Sequence, residues 1–401
     1  MEAISLNEVE TFAVGLLALV VAGFIVRFVP VLSRINVPTP VIGGLLIAGV
    51  VAVLHAAQGL SVQFATGLTD FFLLVFFTTV GLSAKFSELR AGGKPLVILC
   101  ATTVLLLVAQ NLVGLAVALA SGSHPQYGLL IGSISFVGGP GTAAAWAKEA
   151  QAEGLERAPE VAVGAATFAV IVGALVAGPI TGWLVRRKNL RGSGGGEVAS
   201  SWTNAKQAPP AAALSITRTF QVWLVITLAV LAGGALNAWA REAGLILPGF
   251  LTAMLVGVAI ANVADVCGAK VEMFSTERAG QLALQGFLAM YLMSLKLWTL
   301  GAVIGLLIAD VLLQVIVAAT IGILLLFRWL GRDYDAAVAV GGFLGFGLSS
   351  MPVAMATMDS VASRYGPSPK AFLIVTLAGS FFVDLANAFI VKGFLTLPWF
   401  H

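Results

Sequence analysis

Charge is what this sequence has least of. Only 10% of its 401 residues are Asp, Glu, Lys or Arg, against roughly 25% in a soluble domain. So little charge cannot clothe a water-facing surface of this size, which excludes an ordinary soluble domain. A 59% hydrophobic composition instead suits a lipid environment. The net charge of +3, without a large basic cluster, excludes nucleic acid as a partner. Histidine is equally scarce: His55, His124 and His401 are scattered, so no zinc site or His-based triad can be assembled. Cys100 and Cys267 stand alone in separate apolar regions, without metal spacing, and are expected as free core thiols. The first apolar run follows Glu2, Glu8 and Glu10 rather than a basic segment, so no cleaved signal peptide is expected.

What the sequence has in abundance is long apolar runs. They fall at approximately 11–28, 38–54, 68–84, 95–120 and 160–184, and again at 220–239, 245–263, 280–296, 299–327 and 370–396. Residues 186–218 interrupt them with Arg186-Arg-Lys188, Gly192-Ser-Gly-Gly-Gly196 and Pro209-Pro210, a linker that cannot span. The expected domains are a first membrane repeat at 1–185, this linker at 186–218, and a second repeat at 219–401.

Two glycine-rich breaks lie in corresponding places, at 128–148 and 336–358. The first contains Ser135, Gly138-Gly-Pro-Gly-Thr142 and Trp146; the second contains Gly341-Gly342, Gly345, Gly347, Ser349-Ser350 and Pro352. In lipid, an unpaired backbone N–H or C=O costs several kcal/mol, so broken helix survives only inside protein or along a wet cavity. Paired breaks in two halves point to a transporter's binding site.

Other matches support a repeat. Gly81-Leu-Ser-Ala-Lys85 answers Leu292-Met-Ser-Leu-Lys296, Gly132 answers Gly341, and Gln110-Asn111 has a counterpart in Gln314. With five spans before a cytoplasmic linker and both breaks re-entrant, seventeen of the 22 Lys and Arg residues fall on the cytoplasmic side. An odd number of spans inverts the second repeat, placing both termini outside. The expected fold class is therefore an all-α integral membrane protein of two inverted five-span repeats, each with a re-entrant loop.

The residue types at the breaks suggest their chemistry. Free N–H groups at a helix start suit a carboxylate, and unwound carbonyls with hydroxyls suit a hard cation such as sodium. Candidate substrate-binding residues are Ser135, Gly138, Gly139, Gly141, Thr142, Gly345, Gly347, Ser349, Ser350 and Asn387. Asp384 lies deep in the last run, sharing a helical face with Ser380 and Asn387. A carboxylate at that depth is expensive and marks function by default. It could bind sodium together with Ser380, accept a substrate ammonium, or carry a proton. Asp310 ranks lower, since only Gln314 shares its face within a turn. Gln110, Asn111 and Gln314 are expected to bond between helices, Lys85 and Lys296 to snorkel, and Phe71-Phe72 and Phe76-Phe77 to face lipid.

These stretches resemble the bacterial sodium/glutamate symporters. The resemblance rests on Pro38-Thr-Pro40 with Gly43-Gly44, Phe77-Thr-Thr-Val-Gly-Leu82, Leu89-Arg-Ala-Gly-Gly93 and Gly138-Gly-Pro-Gly-Thr142. It continues through Asp333-Tyr-Asp-Ala-Ala337, Gly345-Phe-Gly-Leu348, Phe381-Phe-Val-Asp384 and Leu397-Pro398. It implies sodium-driven uptake of L-glutamate across the bacterial inner membrane, with sodium as coupling ion and no other cofactor. It further implies a homodimer and an elevator-like movement of a core domain. Pro140 and Ser349-Ser350-Met351 depart from the family pattern. The rival readings are a carrier of aspartate or a hydroxycarboxylate, and a channel. A tricarboxylate carrier would favour arginine in the breaks, and there is none. No histidine or second aspartate stands at motif spacing, so no enzyme is expected.

Overall fold

The structure, a computed structural model, describes residues 3–28, 38–87, 92–190, 216–243, 247–268, 272–298 and 304–397. Linker residues 191–215 lie outside these, as do Arg34, Leu89, Arg90, Lys270, Leu300 and Pro398.

Almost every described segment is helical, as the apolar runs require. In chain order the helices are α1 (Glu8–Phe28), α2 (Thr39–Gln58), α3 (Gly67–Leu82), α4 (Gly93–Ala120), α5 (Pro125–Leu130), α6 (Ser133–Phe136), α7 (Gly139–Ala152) and α8 (Ala158–Arg187). After the linker come α9 (Ile216–Glu242), α10 (Gly249–Val266), α11 (Met273–Met293), α12 (Ile304–Ile321), α13 (Phe327–Trp329), α14 (Tyr334–Gly347), α15 (Met351–Tyr365), α16 (Pro369–Leu377) and α17 (Val383–Leu395). Seven helical segments among the described residues are long and apolar enough to cross a membrane: α1, α2, α4, α8, α9, α10 and the stretch from α12 through α13. A short parallel pair joins β1 (Ala3–Ser5) to β2 (Ser61–Gln63).

The order of elements restarts after the linker. Helices α1, α2, α3, α4, α5, α7 and α8 are answered by α9, α10, α11, α12, α14, α15 and α16, each beginning about 210 residues later. The sequence match around Ser83 and Ser294 has a structural basis. Both serines cap the C-terminus of their helix, and both hydroxyls donate to a carbonyl of the last turn, Thr79 O and Tyr291 O.

The chain divides into two compact units, each drawing on both sides of the linker. The first comprises Met1–Lys85, Gly139–Thr167 and Val222–Ile308. Here α3 and α10 cross with their backbones in contact. A Cβ on Gly81 would lie 2.1 Å from Met254 O, and one on Gly257 2.6 Å from Thr78 O. Small residues at such crossings allow van der Waals packing that bulkier side chains would prevent. The N-terminus of α3 lacks a cap from its own residue Thr66, and the carboxylate of Glu8 supplies one, accepting from the N–H groups of Gly67 and Leu68. Lys148 of α7 pairs with Asp70 of α3.

Two expectations are corrected in this unit. Phe77 does not face lipid: it is 3% exposed, on the α3 face that also buries Thr69 and Leu73 at four-residue steps. Its ring packs 4.6 Å from Phe250, which meets Trp146 of α7 edge-on at 5.4 Å. Phe71, off that face, is exposed. Cys267 is not a core thiol either, since it caps the C-terminus of α10 and is exposed; Cys100 is half-buried, and both are free.

The second unit comprises Phe86–Gly138, Phe168–Gln221 and Ala309–His401. Its apolar core is built around α14, whose residues from Ala336 to Gly347 are all buried. Asp333 caps that helix, its Oδ1 accepting from the N–H of Ala336 at 2.7 Å. Two single-turn π segments interrupt helices here, Gly322–Leu326 between α12 and α13, and Ala378–Phe382 between α16 and α17. Such turns frequently accompany functional sites.

Candidate functional site

The first break begins where α5 stops. Between Leu130 and Ser133 the chain leaves the helix for Ile131 and Gly132, then re-enters it as α6. A Cβ at Gly132 would lie 2.7 Å from Asn111 Oδ1 and 3.0 Å from Gly128 O. Glycine therefore lets the break lie directly against α4.

Asn111 makes use of that closeness. Its Oδ1 accepts from the N–H of Ser133 at 3.0 Å and lies 2.9 Å from the Ser133 hydroxyl. The same hydroxyl is 2.6 Å from Asn387 Oδ1 on α17, while Asn387 Nδ2 donates to the Ser133 carbonyl at 3.2 Å. The Ser133 amide fixes the orientation of one asparagine and its carbonyl fixes that of the other. Two amide oxygens thus face a hydroxyl with a single proton. Asn111, Ser133 and Asn387 are all fully buried.

Beside them lies a second group. Gln110 Nε2 donates to the Gly347 carbonyl at 2.7 Å, tying α4 to the end of α14 and hence to the second break. Gln314 Nε2 is 3.0 Å from Gln110 O, 3.3 Å from Asp310 Oδ1 and 3.5 Å from Ile131 O. Gln110, Gln314 and Asp310 are buried as well. The two groups make one polar seam through the apolar second unit, with contributions from α4, the first break, α12, the second break and α17.

The predicted site residues distribute as follows. In the second unit, Ser135 is buried on α6 and its hydroxyl donates to Leu130 O at 2.5 Å. Gly138 is half-buried, between α6 and α7. Gly345 is a crossing residue: a Cβ there would lie 2.3 Å from Ala354 Cα, so it lets α14 and α15 fold back on each other. Gly347 offers its carbonyl to Gln110. Ser349 is buried and Ser350 half-buried, with their hydroxyls 3.5 Å apart at the start of α15. Asn387 belongs to the seam. Asp384 is half-buried on α17 one turn before it, and no hydrogen bond or ion pair joins it to the described side chains. The Ser380 side chain lies outside the described residues, on the π segment preceding α17.

In the first unit, Gly139 starts α7 with φ +68°, Gly141 packs toward Leu284, and Thr142 is buried. Lys296 follows the end of α11, and its backbone N–H donates to Glu160 Oε1 at 3.2 Å. Gln110, Asn111 and Gln314 bond between helices as their sequence context suggests. Ser133 was not singled out, although it opens the first break and has Asn111 one helix earlier. Asp310, ranked below Asp384, is the more deeply buried of the two acids.

A sequence model of the sodium/glutamate symporters matches residues 4–367. The chain belongs to the sodium/glutamate symporter family. A sodium/glutamate symporter of Haemophilus influenzae is 38% identical over 390 residues, covering 96% of each chain. One from Escherichia coli is 36% identical over 400 residues, covering 98% of this chain and 99% of the relative. Among solved structures, the sodium proton antiporter MjNhaP1 from Methanocaldococcus jannaschii aligns over 96% of both chains at 13% identity, with a TM-score of only 0.42. The family match covers both breaks and most of the polar seam, ending before α16, whereas the relatives extend through nearly the whole chain. As a symporter-family member with seven apolar helical segments of spanning length among its described residues, the chain is a multi-pass membrane protein.

Proposed function

We propose that this chain is a sodium-coupled symporter that carries L-glutamate into the cell across the cytoplasmic membrane. The observation that carries the reading is the family match over residues 4–367. The seam supports it, since buried polar groups in a membrane protein are costly and are retained where ions or substrates pass.

The start of α15 is the proposed seat for a substrate carboxylate. Ser350 occupies its N-cap without a side-chain cap bond, so N–H groups of the first turn are left for an anion, beside the hydroxyls of Ser349 and Ser350. The start of α7, with Gly139, Gly141 and Thr142, offers a second helix N-terminus of the same kind. Asp384, with Ser380, is the proposed sodium ligand. A carboxylate in an apolar unit, without a cationic partner among the described residues, is stabilised by a bound cation, and a dianionic side chain crosses more cheaply with its charge offset. No step makes or breaks a covalent bond, so the reading is of a carrier and not of an enzyme.

The matching order of helices in the two halves supports an inverted repeat of five spans each, with α5–α7 and α14–α15 as re-entrant segments. On this reading the two repeats are 1–185 and 219–401, both termini are outside and the linker is cytoplasmic. A homodimer with an elevator-like core completes the proposal. The test is uptake of labelled L-glutamate into proteoliposomes with and without an inward sodium gradient. Accumulation that needs sodium and collapses with the gradient supports the reading. Sodium-independent equilibration would favour a channel, and no uptake would turn attention to aspartate and hydroxycarboxylates.

A further inference from the structure

The environment of Asp310 contains more oxygens than protons. Gln314 Nε2 has two hydrogens but three oxygens around it, Gln110 O, Ile131 O and Asp310 Oδ1, at 3.0–3.5 Å. Asp310 Oδ2 and Gln314 Oε1 are buried with no hydrogen-bond partner among the described residues. Asp310 is 1% exposed and Gln314 0%, so water outside the protein does not serve these atoms. Among the described residues no Lys, Arg or His pairs with Asp310, and its one bonded side chain is the neutral Gln314.

An ionised carboxylate in that setting is an uncompensated buried charge, one of the costliest arrangements in a folded protein. Native structures leave few buried polar atoms unpaired, and such exceptions call for an explanation, a bound ion among them. The donors present are a carboxylate, a side-chain amide oxygen, and the Ile131 carbonyl from the gap between two short helices. All are hard oxygens, the ligand class of small hard cations. The amide cannot turn to relieve the shortage, because doing so would aim Gln314 Oε1 at three further oxygens. A cation would settle the charge and the missing donors together.

We propose that Asp310, Gln314 Oε1 and the Ile131 carbonyl form a buried site for a small monovalent cation, Na+ or H+, separate from Asp384. The site lies on α12 and the first break, whereas Asp384 lies on α17. Its existence does not depend on which substrate the protein carries. Because Ile131 adjoins Gly132 and Ser133, an ion here would set the geometry of the first break directly.

The test uses the full-length chain purified in detergent without glutamate, in the Asp384→Asn background. The thermal unfolding midpoint is followed as sodium chloride replaces choline chloride, and separately as pH falls from about 8 to about 6, since an empty histidine-free site senses only these ions. A saturable rise with sodium that is lost, or weakened by about tenfold or more, when Asp310→Asn is added supports the site with sodium as occupant. A sodium-independent rise on acidification that Asp310→Asn removes supports it with the proton as occupant. The proposal is overturned if neither response exists, or if the double variant responds as Asp384→Asn does. Should the double variant not fold, Gln314→Met removes Oε1 at similar volume. A response weakened by about tenfold then supports the site, and an unchanged one overturns it. Sodium-independent equilibration of glutamate by the parent protein in proteoliposomes, with this response intact, would defeat the symport reading and leave the site standing.

Discussion

The hydroxyl of Ser133 lies 2.6 Å from Asn387 Oδ1, joining the first break to the last helix across 254 residues of sequence. Its proton can serve either Asn387 or Asn111, and Asn111 Oδ1 already accepts the Ser133 N–H. Asn387 is therefore the partner with more to lose. Ser133→Ala leaves a buried amide oxygen unpaired, at a cost of about 1–3 kcal/mol. A thermal unfolding midpoint equal to that of the parent protein would show that this contact contributes nothing.

Gly345 makes a sharper steric prediction. A Cβ there meets Ala354 Cα at 2.3 Å and Ala354 N at 2.6 Å, and both are backbone atoms that cannot swing aside. Gly345→Ala must separate α14 from α15, with an overpacking cost of about 1–3 kcal/mol. Gly393, with open space around its Cβ position, is the control. Gly393→Ala is expected to leave the midpoint unchanged or slightly higher, helix propensity favouring alanine by about 1 kcal/mol. Equal effects of the two substitutions would refute the steric account.

Helices were legible because apolar runs of spanning length have few other ways to satisfy their backbone, and the breaks because glycine and proline mark them. The Ser83 and Ser294 matches were legible for a local reason, each hydroxyl bonding within its own last turn. The seam was harder to read. Gln110 meets Gly347 across 237 residues and Gln314 meets Gln110 across 204, and no local pattern encodes such pairings. Phe77 was misread because neighbouring aromatics look alike in sequence, while α3 buries only those on one face. Asp310 was underrated for a related reason, its depth being set by packing and not by its sequence neighbours.

The pair of Lys148 and Asp70 is expected to matter little for stability. Both side chains are more than a third exposed, at 36% and 39%, so water and salt screen their attraction. Exposed pairs contribute about 0–1 kcal/mol. Asp70→Asn should therefore lower the unfolding midpoint only slightly, with the difference from the parent shrinking further at high salt. A large loss that persists in high salt would mean that the pair does more than screened electrostatics allows.

Asp384 carries the most demanding prediction, because the role proposed for it is chemical and not architectural. No bond ties it to the described side chains, so Asp384→Asn removes a charge while disturbing little packing. If the carboxylate binds the coupling ion, the variant should fold normally and still bind glutamate at saturating sodium. The concentration of sodium giving half-maximal uptake should rise by about tenfold or more. A purely structural role predicts the reverse, a lowered unfolding midpoint with unaltered sodium dependence in the molecules that remain folded. Measuring both quantities on one preparation separates the two, and wild-type sodium dependence in Asp384→Asn would remove Asp384 from the coupling mechanism.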